Sequence, residues 1–134
     1  MKKIDLEAHF CTKDYERHML SRKESPKLEM IEDEKHQKML RFTVAPNIAQ
    51  VTPLLFQGRL LDMGEGRLKL MDEAGIDMQV LSLSWPCEQF EAREGTMWAS
   101  RTNDELSEVV KKYPNRFMGW RLWHPKIPMQ QQAN

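Results

Sequence analysis

A parallel α/β fold is what these 134 residues predict, on three observations. Ile4, Leu6, Ala8 and Phe10 alternate with Asp5, Glu7 and His9, the period of a half-buried strand. Ile76-Asp77-Met78-Gln79-Val80-Leu81-Ser82-Leu83 is apolar and β-branched enough for a buried strand. Helical segments with their own start and stop signals flank that second run, so strands and helices alternate, as a parallel sheet with right-handed crossovers requires.

Taken in order, the first strand spans about 3–9. Strand alternation puts Glu7 and His9 on one face, near the C-terminal end of what is expected to be the central strand. A carboxylate and an imidazole so placed can share one hard or borderline divalent cation. By spacing alone, a solvated strand end carrying a polar pair is the commoner reading. Thr12 can cap a short helix running to Lys23, with Pro26 as its stop. His18 and His36 fall in charged segments and are read as solvent-facing. The stretch 42–56, with Pro46 and Pro53, reads as an irregular loop, and 24–57 as the least ordered interior part. Asp62 and Glu65 have capping-box spacing for a helix over 64–74, and Gly75 stands where a C-cap glycine belongs. The second strand covers 77–83 and ends at Trp85-Pro86. A helix over 96–112 closes with Lys111, Lys112 and Pro114, and a strand over 116–122 follows.

Composition narrows the function classes. Twenty basic residues balance 20 acidic ones, which gives no electrostatic reason to expect nucleic acid or an anionic membrane as partner. No apolar run approaches the roughly 20 residues of a membrane span, and Met1-Lys2-Lys3 leads into an acidic strand rather than a signal-peptide core. The two cysteines, Cys11 and Cys87, form no CxxC, so free thiols in a cytoplasmic protein are expected. Cys87 lies at a strand end and can line a pocket, but no histidine stands near it in sequence to activate it as a nucleophile.

Four blocks resemble one known family. Glu7-Ala8-His9-Phe10 after a short strand, the stretch Arg67 to Ser82, Asn103-Asp104-Glu105-Leu106, and Lys112-Tyr113-Pro114-Asn115-Arg116-Phe117 stand in order and at the spacing of the metal-dependent decarboxylases of the amidohydrolase superfamily. That group includes 2,3-dihydroxybenzoate, γ-resorcylate, 5-carboxyvanillate and aminocarboxymuconate-semialdehyde decarboxylases. The resemblance implies a partial TIM (β/α)8 barrel, its first three βα units with a long insertion after strand one; a full barrel takes about 250 residues. It implies one divalent metal, zinc or manganese, with Glu7 and His9 as the first two ligands, and a small aromatic or muconate-type carboxylic acid as substrate in full-length, homo-oligomeric relatives. The remaining ligands and the catalytic acid are expected downstream. Trp85 and Pro86 fall at the pocket rim. Arg67 has reach to a substrate carboxylate, although a solvated helix arginine is the plainer reading.

Residues 1–119 read as the barrel portion and 120–134 as a tail unlike the family. Re-reading the codons of Trp120-Arg121-Leu122-Trp123-His124 from each third base permits Leu-Ala-Ala-Leu-Ala-Pro, which is the family's expected continuation, so one reading is an out-of-frame tail and the plain alternative is a natural short protein with a disordered end. Against the decarboxylase fragment stand two other readings. One is a non-catalytic α/β fragment or small interaction protein associating through unpaired strand edges, without metal. The other is a small self-sufficient metal domain using Glu7, His9 and another local histidine.

Overall fold

The computed structural model describes residues 1–85 and 87–120, apart from the side chain of Leu55; Pro86 and the tail beyond Trp120 lie outside the described residues. The elements are β1 (Ile4–Phe10), α1 (Lys13–Ser21), β2 (Lys27–Glu32), β3 (Lys38–Ala45), β4 (Ile48–Pro53), α2 (Leu54–Leu61), α3 (Glu65–Glu73), β5 (Met78–Leu83), a short 3-10 turn (Cys87–Gln89), α4 (Ala92–Lys112) and β6 (Phe117–Gly119). Strands β1, β5 and β6 form one sheet in that order, both pairs parallel. The expected parallel neighbours are therefore found. The centre of the sheet is β5, however, and β1 is an edge strand rather than the central one.

Local chemistry explains where the helices start and stop. Thr12 caps α1 by accepting the Tyr15 N–H at 3.3 Å, and the helix ends at Ser21, two residues short of Lys23. The capping box expected at Asp62 and Glu65 does not form. Leu54–Leu61 is a helix of its own that ends at Asp62, so α3 starts afresh with Gly64 in the N-cap position. The Asp62 carboxylate instead accepts the Gly64 N–H at 2.9 Å. Gly75 does end α3: at φ 67° it closes a Schellman motif, with the Ile76 N–H on the Met71 carbonyl and its own N–H on that of Asp72. Helix α4 begins at Ala92, four residues before the expected 96. It packs close to β6, where a Cβ on Gly119 would lie 2.5 Å from Leu106.

The insertion after β1 corrects the sequence reading most. The residues expected to be least ordered form a three-stranded antiparallel sheet, β2-β3-β4, and the loop expected over 42–56 supplies half of it. Leu28, Leu40 and Phe42 point inward and are buried, while Met30 and Val51 are exposed. The two prolines that suggested a loop sit where a sheet tolerates them. Pro46 is in the β3–β4 turn beside Asn47, whose φ of 65° suits asparagine, and Pro53 ends β4 as α2 begins.

Both sheets close on one core, in which Phe10, Leu81 and Phe117 of the parallel sheet join Tyr15, Trp98 and Leu40. His18 belongs to that core's margin, not to solvent. Its Nε2 lies 2.7 Å from Glu94 Oε1, and its ring packs 4.8 Å from Trp98 and 5.9 Å from Phe90. An i to i+3 step along α1 from the buried Tyr15 put it there. His36, in the β2–β3 turn, faces solvent as expected. Among the described residues no helix is long and apolar enough to cross a membrane.

Candidate metal centre

The site begins with an irregularity in β1. Asp5 pairs with Gln79 and Ala8 with Leu81, so three steps along β1 match two along β5, a one-residue bulge at Leu6 and Glu7. Asp5 favours this distortion because its carboxylate accepts the Glu7 N–H at 3.1 Å, a local bond that competes with the ladder. Strict alternation would have placed Asp5, Glu7 and His9 on one face. The bulge withdraws Asp5, which stands with Gln79 and accepts its Nε2–H at 3.1 Å. Glu7, in the bulge, and His9 beyond it are both exposed in the C-terminal half of the strand, while Ala8 and Phe10 are buried.

Arg67 holds this segment from behind. It is not the solvated arginine expected on a helix surface but is buried, 8% exposed. Its Nη2 donates to the carbonyls of His9 and Arg59, both at 2.8 Å, its Nε to that of Asp62 at 2.6 Å, and its Nη1 to Gln79 Oε1 at 3.2 Å. Burial lowers its pKa, while Asp62 and Asp5 act in the opposite direction. One guanidinium thus ties α2, α3, β1 and β5 together, and through Gln79 reaches the carboxylate that supports the bulge. Gly66, its neighbour, leaves room for the Asp62 carboxylate beside α3. The sequence shows α3 as weakly amphipathic, so it gave no sign that position 67 points inward.

On the open face, His9 Nδ1 lies 2.9 Å from Ser82 Oγ, its register partner on β5. Sequence reasoning passed over Ser82 and Gln79. The available signal was their polarity within an otherwise apolar strand, but assigning partners across a parallel pair needs the register, which the bulge shifts.

A cavity of about 1020 Å³ opens beside β1, its walls including His9, Asp5, Arg67, Gln79, Phe42 and Trp85. Glu7 stands outside that lining. Trp85 is half-buried at the end of β5, its ring 6.1 Å from Phe42, with a backbone φ of 57° that a bulky residue rarely adopts. Its carbonyl is held there by the Tyr15 hydroxyl at 2.6 Å. Pro86 is outside the described residues. Cys87 is buried and its thiol is pushed up to about 12, first by burial and then by Glu88, so it has no thiolate for nucleophilic chemistry. Among the described residues no group of three or more His, Cys, Asp or Glu side chains is placed to hold a metal, which leaves the self-sufficient metal domain without a third ligand. The donors in hand, one carboxylate and one imidazole, fit part of a zinc or manganese site.

Comparison with known proteins gives the geometry a context. No family model matches the chain. It is 41% identical over 76 residues to the γ-resorcylate decarboxylase of Polaromonas sp. (strain JS666 / ATCC BAA-500), a match covering 55% of this chain and 22% of that enzyme. The fold is similar to a 5-carboxyvanillate decarboxylase from Novosphingobium aromaticivorans, solved with manganese and 4-hydroxy-3-methoxy-5-nitrobenzoic acid (TM-score 0.65, 26% identity, 93% of this chain and 34% of that one). It is also similar to a dihydroxybenzoic acid decarboxylase from Polaromonas sp. JS666, solved with manganese and 2-nitroresorcinol (TM-score 0.60, 30% identity, 90% and 30%). The chain spans only about a fifth of the length of the curated relatives it matches, and within that span it is similar to γ-resorcylate decarboxylases.

Proposed function

We propose that this chain is the first three βα units of a (β/α)8 barrel and supplies two ligands, Glu7 and His9, to the divalent metal of a carboxy-lyase. The substrate class is a hydroxybenzoate-like or muconate-semialdehyde acid, with a related amidohydrolase reaction as the nearest variant. One observation supports this reading: a carboxylate and an imidazole two residues apart are both exposed in the C-terminal half of a parallel strand, the end at which barrel active sites gather. A divalent ion supplies Lewis acidity toward the oxygens of an aromatic acid. Manganese accompanies two similar enzymes, and zinc suits the same donors. Trp85 would wall the cavity on the substrate side, while Arg67 holds the His9 backbone rather than meeting a carboxylate. A cytoplasmic location and homo-oligomeric full-length relatives complete the reading, together with a tail read from a shifted frame.

The purified chain is titrated with Mn2+ and free ion is counted by electron paramagnetic resonance. Weak uptake is expected, abolished in His9→Ala and in Glu7→Gln. No decarboxylation of 2,6-dihydroxybenzoate is expected with manganese or zinc, because two ligands leave a metal mostly to water. Uptake indifferent to both substitutions would refute the ligand pair, and turnover by the monomeric chain would mean a complete site.

A second reading, an interaction fragment without metal, draws on a separate observation. Among the described residues both β1 and β6 have an unpaired edge in the sheet, and Ile4, Leu6 and Met118 beside those edges are exposed. Self-association that persists in His9→Ala distinguishes it.

A further inference from the structure

We infer that Ser82 is a positioning residue: its hydroxyl holds the neutral His9 imidazole in the Nδ1-protonated form and so turns the Nε2 lone pair toward a cation. The cation part rests on the reading of Glu7 and His9 as ligands; the tautomer part rests on geometry alone. His9 and Ser82 are register partners on adjacent strands, so their side chains stand on one face, and Nδ1 is 2.9 Å from Oγ. A hydroxyl has one hydrogen to give and two lone pairs to offer. The Ala8 carbonyl, 3.5 Å from Ser82 Oγ, is the second acceptor within its reach. With the hydroxyl hydrogen directed there, Oγ accepts from Nδ1–H. Nε2 then carries the lone pair, and among the described residues it has no hydrogen-bond partner.

The opposite arrangement has Ser82 donating to Nδ1. It puts a hydrogen on Nε2, which then cannot bind a cation through that atom. The two arrangements are therefore distinct in consequence and not only in bookkeeping. Ser82 suits the task because it sits on β5, the middle strand of the sheet, with its neighbour Leu81 fully buried. A donor or acceptor on a rigid element fixes a ring more sharply than one on a loop. The Arg67 bond to the His9 carbonyl anchors the backbone of the same residue from the other side.

The test is a two-bond proton–nitrogen correlation spectrum of the nitrogen-15-labelled chain at pH 8.5. The His9 signals are identified by their loss in His9→Gln. Wild type is expected to show protonated Nδ1 and bare Nε2, Ser82→Thr to keep that pattern, and Ser82→Ala to move toward the Nε2-protonated form while its amide spectrum stays dispersed. In parallel, Mn2+ affinity should fall about 10–100-fold in Ser82→Ala, the usual cost of losing a group that orients a ligand, and be restored in Ser82→Thr. An Nε2-protonated His9 in wild type, or a pattern unchanged in Ser82→Ala, overturns the assignment whether or not metal binds. A tautomer that switches as expected in chains that take up no Mn2+ upholds Ser82 and sinks the metal reading instead.

Discussion

The two sheets of this molecule are built from the same number of strands and do different work. In the parallel sheet the middle strand buries Val80, Leu81 and Leu83, and its neighbours add Phe10 and Phe117. In the antiparallel sheet one face buries Leu28, Leu40 and Phe42, while every residue of β4 is exposed. Glu7, His9, Ser82 and the Arg67 network all belong to the parallel side. The antiparallel side lends the cavity a wall through Phe42, Gln50 and Thr52. Rigidity and the polar pair thus coincide in one sheet, and adaptable surface lies in the other.

That contrast predicts unequal sensitivity. Phe117→Ala, at a fully buried position, should cost about 3–5 kcal/mol in urea unfolding. A loss near zero would mean that the parallel sheet is not the stability centre. An intermediate effect is expected from pH. Cys11 follows β1 and Cys87 follows β5, and burial pushes both thiols from 9.0 up to about 12. Between those values the unfolded chain has lost the thiol protons and the folded chain keeps them. Stability is therefore full below about 9 and falls as pH rises toward 12, by up to about 1.4 kcal/mol per pH unit for each thiol. Burial raises the Tyr15 hydroxyl as well, which adds in the same direction. Unfolding midpoints at pH 8 and 10.5 should diverge less in the Cys11→Ala/Cys87→Ala double variant than in wild type. Smallest of all, Val51→Thr on the outer sheet should stay within about 0.5 kcal/mol, and a loss matching that of Phe117→Ala would erase the contrast.

The same two regions mark what could be read from sequence. Met78–Leu83 is a continuous apolar run, and Gly75 before it needs a positive φ, so the strand and the helix end were both visible. The antiparallel sheet alternates over short segments broken by Pro46 and Pro53, and a loop was the natural mistake. The exposure that Glu7 and His9 share was legible because they lie two apart along one strand. Arg67 was misjudged because burial of a cation depends on four acceptors that lie on three other elements and a loop. Ser82 was missed because its meaning lies in a cross-strand partner. Periodicity speaks to one segment at a time, whereas polar networks join several.

The bulge in β1 also decides what an approaching anion encounters. Without the extra residue, two carboxylates, Asp5 and Glu7, would flank the imidazole on the open face. With it, Asp5 turns to Gln79 and into the field of the Arg67 guanidinium. Two like charges 4 Å apart repel by about 1 kcal/mol in water and about 4 kcal/mol at the effective dielectric of a protein surface. An organic acid entering the cavity beside His9 therefore meets an Asp5 carboxylate already bonded to Gln79 and facing a guanidinium, while Glu7 stands outside the lining. A single added residue sorts the charges of this strand: one carboxylate is left exposed, and the other is held by an amide in the field of a guanidinium.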